Sequence, residues 1–340
     1  MRLTELSGQG GCSAKIGQQD LAKVFSQLVT PAAGPLLVSA ASMDDGAVYQ
    51  LREDLALVAT TDFFPPPVDD PRDYGAIATA NALSDVYAMG GNPLLLLNLV
   101  GFDLAALSPE MLREILEGGA EVAREAGCAV AGGHSIRTSQ PIFGCAVVGT
   151  VDPRRVVTNA AARPGDRLVL TKPLGTGVVL NAHKQQRAPA ETLAEAVSVM
   201  RRLNGSAAQA MLESGATAAT DVTGFGLLGH AHNLANASGV AARLLAEKLP
   251  VIPGVLELIG QGLLPGGSRR NLELARSRCR IGEAVDPLLI QLACDAQTSG
   301  GLLIAASPPS AEFILSAGVG AVEVGEVLPR RGGEPFLELV

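Results

Sequence analysis

Residues 81–102 read NALSDVYAMGGNPLLLLNLVGF. An alanine-rich helix running from Asp73 to Met89 meets Gly90 and Gly91, with Pro93 just beyond, and these residues form a helix stop. LLLLNLVGF then reads as a buried strand. On the N-terminal side, VYQLREDLALVATTDFF (48–64) reads as two short strands, and QDLAKVFSQLV (19–29) as a helix tied to them by a Pro/Gly-interrupted link. On the C-terminal side, Ser108 with Pro109 opens a second helix that closes at Gly127, and two strand-like runs, CAVAGG and IFGCAVVGTV, follow. Strands, helix, strand, helix and strands therefore fill roughly the first 155 residues.

Asp152, Pro153 and the polar segment to Gly165 mark a boundary before DRLVLTKPLG (166–175), a strand that opens the second half. One long helical region is expected from about Glu191 to Glu213, then a loop, ATDVTGFGLLGHAHNLA (219–235), that enters another helix. Short strands, helices and turns such as LLPGGSRRN complete the chain, giving an α+β second domain. The expected division is a glycine-rich leader at 1–17, an N-terminal domain at 18–155 and a C-terminal domain at 156–340.

At 340 residues and 47% hydrophobic, the chain is long enough for two cores. A net charge of −8 disfavours nucleic acid as a general partner, although Arg269 and Arg270 form a local basic pair. No apolar run approaches about 18 residues and MRLTELSGQGG lacks the apolar centre of a signal peptide, so a cytoplasmic location without membrane attachment is expected. The five cysteines are widely spaced and never form a CxxC pair, which fits neither a disulfide framework nor a zinc site. Cys128 and Cys145 lie in apolar runs and read as buried thiols.

Chemistry is suggested first by the leader GQGGCSAKIG (8–17), which places the Cys12 thiol and the Lys15 amine on a mobile arm outside the folded core. An ammonium three residues beyond the sulfur could favour its thiolate. Acidic residues recur where extended segments end: Asp44 and Asp45, Asp62, Asp85 and Asp221. Asn81 and Asp85 share one helix face, where a carboxylate in an apolar helix needs a partner. A single such Asp reads as a cap or turn residue. If several converge, pairs about 4 Å apart repel by about 4 kcal/mol, and magnesium, which takes oxygen ligands and accompanies phosphates, is the simplest compensation. AGGHS (131–135) could present backbone amides and His134 to phosphate, and KPLGTGV (172–178) resembles an anion-holding turn, while His134 and His230, taken singly, read as structural or surface residues, and QTSGG (297–301) as a turn.

In order along the chain, GGCSAKI, DDGAVY, TTDFF, NALSDVYAMGG, AGGHSI, PIFG, TKPLGTGV, TDVTGFGLLGH, LPGG followed by RN, and CDAQTSGGLL closely resemble the selenophosphate synthetase family almost end to end. The leader and TDVTGFGLLGH are the most specific of these. The resemblance implies an aminoimidazole ribonucleotide synthetase-like ATP-binding fold whose N-terminal domains dimerise around a β-barrel-like interface. The implied reaction converts ATP, selenide and water into selenophosphate, phosphate and AMP, supplying activated selenium for selenoproteins and selenium-modified tRNA. Carried over by motif, Cys12 is the essential thiol and Lys15 the essential amine. Asp45, Asp85 and Asp221 match magnesium ligands. Ser42, Met43, Asp44 and Asp62 match nucleotide contacts, with Lys15 and Asp85 beside the same ligand, and Gly133, His134 and Ser135 match a contact supplied by the partner subunit. Asn81 falls in the same pocket. A monovalent cation such as K+ and a selenium-delivery protein complete the implied cofactors and partners.

Some relatives carry a second cysteine where this chain has Ala14, so a disulfide-switched leader is not expected here. Three other readings stand beside this one: another ATP-dependent enzyme of the superfamily, a catalytically inactive nucleotide-binding module, and a cysteine hydrolase using Cys12 and His134.

Overall fold

The alternation expected across the first 155 residues is present in the computed structural model, which describes residues 2–8, 10–15, 34–39, 42–332 and 336–340. The helix expected at 19–29 lies outside the described residues. Strands β1 (Leu36–Val38), β2 (Ala47–Arg52), β3 (Leu55–Phe64), β4 (Asn92–Gly101), β5 (Ala129–Ile136) and β6 (Ile142–Val151) form one sheet in the order β1-β2-β3-β6-β4-β5, with only β4 and β5 parallel. Helices α1 (Pro71–Ala88) and α2 (Pro109–Glu125) complete this half.

The second sheet runs β10-β13-β9-β12-β7-β11-β8. Its strands are β7 (Arg167–Leu170), β8 (Ala218–Asp221), β9 (Ala241–Leu244), β10 (Cys279–Ile281), β11 (Leu302–Ala306), β12 (Val322–Leu328) and β13 (Leu337–Leu339). The helices of this half are α3 (Thr176–Lys184), α4 (Ala190–Arg201), α5 (Gly205–Ser214), α6 (Gly226–Ser238), α7 (Val255–Gly260), α8 (Gly266–Arg278), α9 (Pro287–Ala293) and α10 (Pro308–Ser316).

Helix α1 is the centre of the molecule. Asp70 caps it by accepting from Asp73 N–H at 2.8 Å, Pro71 fixes its first turn, and Gly90 leaves it at φ +73°. Glycines on both helices let α1 and α2 approach: a Cβ on Gly75 of α1 would fall 1.8 Å from the Ile115 carbonyl, and one on Gly118 of α2 2.0 Å from that of Arg72. Tyr74, Ile77 and Ala78 enter one hydrophobic core, while Ala76, Ala80, Leu83 and Val86 enter the other. Each buried Leu, Ile or Val contributes about 1.5–3 kcal/mol. Packed against β3, β6 and β8, α1 carries Asn81 and Asp85 between the two sheets.

Three expectations are corrected. β4 is not buried along its length: Leu94 and Leu97 are exposed on it, as are Phe63 on β3 and Ile136 on β5, and among the described residues nothing covers that face of the first sheet. Among the described residues that sheet is open, with β1 and β5 as its edges. The helical run expected from Glu191 to Glu213 is two helices, broken where Asn204 turns inward to donate to Ser84 Oγ and to the Gly300 carbonyl. KPLGTGV is not an anion-holding turn: Gln297 Oε1 accepts the Gly175 and Thr176 amide protons, and Lys172 Nζ is buried against the carbonyls of Arg202 and Ser299. No helix among the described residues is long and apolar enough to cross a membrane.

Candidate active site

Five segments converge on the inner end of α1. Asp45 precedes β2, Thr60 and Asp62 lie on β3, Asn81 and Asp85 on α1, Thr220 and Asp221 on β8, and Thr298 and Ser299 on the loop leading to β11. Thr220 Oγ1 donates to Asp45 Oδ1 at 3.0 Å, Asp221 N–H to Asp45 Oδ2 at 3.3 Å, and Thr60 Oγ1 to Asp85 Oδ2. Ligand atoms of Asp45, Asp221 and His230 lie within 4.8 Å of one another, and Asp221 Oδ2 is buried without a hydrogen-bond partner. Burial, then the neighbouring carboxylates, hold Asp45 and Asp85 well above the usual carboxylate range. Burial pushes Asp221 up to about 6, against the pull of Lys15.

The described part of the leader is docked onto this cluster, which corrects its expected place outside the folded core. Cys12 is 1% exposed, its N–H donating to Thr298 Oγ1 at 3.0 Å and its thiol to Asn81 Oδ1 at 3.4 Å. The same Asn81 oxygen accepts from Ser299 N–H at 2.8 Å. Lys15 Nζ reaches Asp62 Oδ2 at 2.8 Å, and Asn81 Nδ2 reaches that oxygen at 2.6 Å. Burial pushes the Cys12 thiol up to about 12, so Lys15 does not produce a thiolate in this docked form. Lys15 loses hydration there, yet Asp62 holds its ammonium well above the usual lysine value.

Upstream of Cys12 the chain is fastened as well. Thr4 N–H and Oγ1 donate to Asp69 Oδ1, and Arg2 Nε donates to Asp69 Oδ2. Gly267 of the LPGG motif sits against Ser13, and Asn271 donates to the carbonyls of Gly224 and Cys294, joining the TDVTGFG turn to the CDAQTSGG segment. Gly226 opens α6 at φ +69°, where a Cβ would lie 2.8 Å from the Cys294 backbone.

Ser42, Met43 and Asp44 are pinned by Asn159, whose N–H donates to Asp44 Oδ1 at 2.9 Å and whose Nδ2 reaches the Met43 carbonyl at 3.1 Å. Burial raises Asp44 to about 6. Met43 adopts φ +53° and exposes its side chain. Gly133, His134 and Ser135 lie on exposed edge strand β5. Register pairs Asp62 with Cys145, Cys145 with Asn98 and Asn98 with Gly133, placing Gly133 three strands, about 14 Å, from Asp62. One chain does not bring them together. QTSGG is more than a turn, since Thr298 and Ser299 seat Cys12 and Asn81, and His230 is buried beside Asp45 rather than at the surface. Its only sequence signal was its place in TDVTGFGLLGH.

Both halves match one domain family, AIR synthase related protein, whose N-terminal domain covers residues 43–151 and whose C-terminal domain covers 163–338. A thiamine monophosphate kinase from Aquifex aeolicus shares the fold at TM-score 0.67 and 20% identity, covering 100% of this chain and 98% of that one. A hydrogenase maturation protein HypE solved in complex with ATP aligns at TM-score 0.60 and 17% identity, covering 100% and 95%. Fold and domain matches therefore define an AIR synthase-related protein. A selenide, water dikinase of Caldanaerobacter subterraneus subsp. tengcongensis is 47% identical over 92% of this chain and 90% of its own length. One from Trichlorobacter lovleyi is 43% identical over 97% and 96%. The chain belongs to the selenide, water dikinase family.

Proposed function

We infer that this enzyme makes selenophosphate from ATP, selenide and water, releasing AMP and phosphate. Support comes from one observation above others: the Cys12 and Lys15 leader is joined to the acidic cluster through Asn81 and Asp62. Another ATP-dependent enzyme of the superfamily, or an inactive nucleotide-binding module, leaves that junction without a purpose.

The cluster fits magnesium. Its donors are oxygens, Asp221 Oδ2 is buried and unpartnered, and burial together with the neighbouring carboxylates makes Asp45 and Asp85 resist ionisation until a cation offsets both. Asp45, Asp85 and Asp221 would hold the ions. When bound, magnesium supplies charge to screen the polyphosphate and fix it for in-line displacement. Lys15 brings a fixed positive charge to the developing phosphoryl charge, while Asp62 and Asn81 set where that charge stands. The docked leader excludes water around Cys12, which suits an oxygen- and water-sensitive selenium nucleophile. Ser42, Met43, Asp44 and Asp62 are assigned to the nucleotide.

Gly133, His134 and Ser135 are assigned to the nucleotide of the partner subunit. An apolar outer face on the first sheet and an exposed β5 edge support a homodimer built on that sheet, closing it into a barrel-like interface. The leader at 1–17, the domain boundary at 155/156 and a cytoplasmic location belong to the same reading. Anaerobic incubation with ATP, magnesium, K+ and selenide, followed by phosphorus NMR, tests it. Selenophosphate with one AMP per turnover is expected, and ADP as the final product would rule it out.

A further inference from the structure

His230 sits on α6, 6% exposed, with its ring 5.5 Å from that of Phe225. Both of its nitrogens are engaged. Thr223 N–H points at Nε2 from 3.2 Å, and because a backbone N–H can only donate, Nε2 must carry its lone pair. The ring proton therefore belongs to Nδ1, which lies 3.4 Å from Thr220 Oγ1. With that oxygen accepting from the ring, the single Thr220 proton goes to another acceptor. Asp45 Oδ1 is the nearer at 3.0 Å, the Asp221 carbonyl being 3.2 Å away. Asp221 N–H holds the other Asp45 oxygen at 3.3 Å.

We propose that His230 is a positioning residue: as the Nδ1–H tautomer it directs the Thr220 hydroxyl onto Asp45, fixing that carboxylate for the cation, and it is not itself a metal ligand. Its distance to Asp45 and Asp221 would permit direct ligation, but ligation through Nε2 would sacrifice the Thr223 bond, and ligation through Nδ1 the Thr220 bond. The relay rests on the reading of the acidic cluster as a metal and nucleotide site.

Two measurements test it. In enzyme labelled with 15N-histidine, long-range proton–nitrogen correlation spectra, assigned by the loss of one ring in His230→Asn, should show the Nδ1–H tautomer for His230. That pattern should persist when magnesium and a non-hydrolysable ATP analogue are added; an Nε2–H ring, or a nitrogen shifted by metal ligation, would overturn the proposal. Calorimetric titration of the same analogue with magnesium should show affinity weakened about tenfold in Thr220→Val and in His230→Leu. The double variant should lose no more than either single one, because both changes break one relay. Thr220→Ser keeps the hydroxyl, and His230→Asn places an amide N–H near the position of Nδ1; both should bind within about twofold of the parent. Wild-type affinity in Thr220→Val, or additive losses in the double variant, would sink the relay. A parent enzyme that binds the analogue but makes no selenophosphate would instead sink the proposed function and leave the relay standing.

Discussion

Lys15 Nζ meets Asp62 Oδ2 at 2.8 Å, and the same oxygen accepts the Asn81 Nδ2 proton at 2.6 Å. A single carboxylate oxygen thus ties the leader to the central helix. The lysine side chain is 34% exposed, so after solvent screening the pair contributes about 0–1 kcal/mol. Lys15→Ala should therefore melt close to the parent while selenide-dependent AMP formation falls at least about a hundredfold. Melting curves and AMP chromatography check this, and parental turnover would remove the ammonium from the chemistry.

Cys12 differs, because it is buried. Cys12→Ser puts a hydroxyl in the thiol's place beside Asn81, which should cost about 1–2 kcal/mol of stability and abolish selenophosphate formation. Phosphorus NMR well below the variant's melting temperature, where it is still folded, separates the two effects. Unimpaired product formation would make the thiol structural.

Asp85→Asn and Asp221→Asn each remove one charge from a crowded cluster. Without metal both variants should be at least as stable as the parent, by up to about 1 kcal/mol, because repulsion and desolvation are relieved. With magnesium and nucleotide both should bind at least about tenfold more weakly. Thermal melts with and without magnesium-ATP read both signs. Parental affinity and turnover in both variants would take these residues out of the metal site.

Acidification should act through the same groups. Burial places Asp221 near 6, above the usual value of about 4, so between those pH values the folded metal-free protein holds more protons than the unfolded chain. Its contribution to metal-free stability therefore falls as pH rises through that window. Magnesium competes with those protons, so affinity for a magnesium–nucleotide analogue should rise from about pH 5.5 to about pH 8, with proton release on binding. Calorimetry in buffers of different ionisation heat measures the release; a flat profile without release would show that the carboxylates do not ligate.

Mixed dimers address the β5 edge. A His134 variant and an Asp45 variant, each inactive alone, should recover activity when subunits exchange, since one of the two sites in a mixed dimer is then intact. Recovery is read from AMP formation after proven exchange. None would place His134 outside the site.

Much of this was readable along the chain because it depends on local rules. Gly90 ends α1 whatever surrounds it, and Asn81 and Asp85 share a face because helices repeat every 3.6 residues, whereas the expected start at Asp73 missed the Asp70 cap and Pro71, which begin the helix two residues earlier. The family motifs carried Cys12, Lys15 and the aspartates as residue types in order. The break at Asn204 was not readable, since it exists to satisfy partners at Ser84 and Gly300, far away in the sequence.

The sequence by itself determined the alternation of strands and helices from β2 to β6, the acidic inventory and the family, through periodicity, capping chemistry and motif. Only the tertiary structure decided that Thr298 and Ser299 seat Cys12 and Asn81, that Gln297 occupies the turn expected to hold an anion, and that His230 stands behind Asp45. It also decided the state of the Cys12 thiol, since the neighbouring lysine argued for a thiolate and burial reversed the outcome. The physical reason is common to all four. Hydrogen-bond partners and desolvation come from residues distant in the chain, and neither can be counted until folding has brought the segments around α1 together.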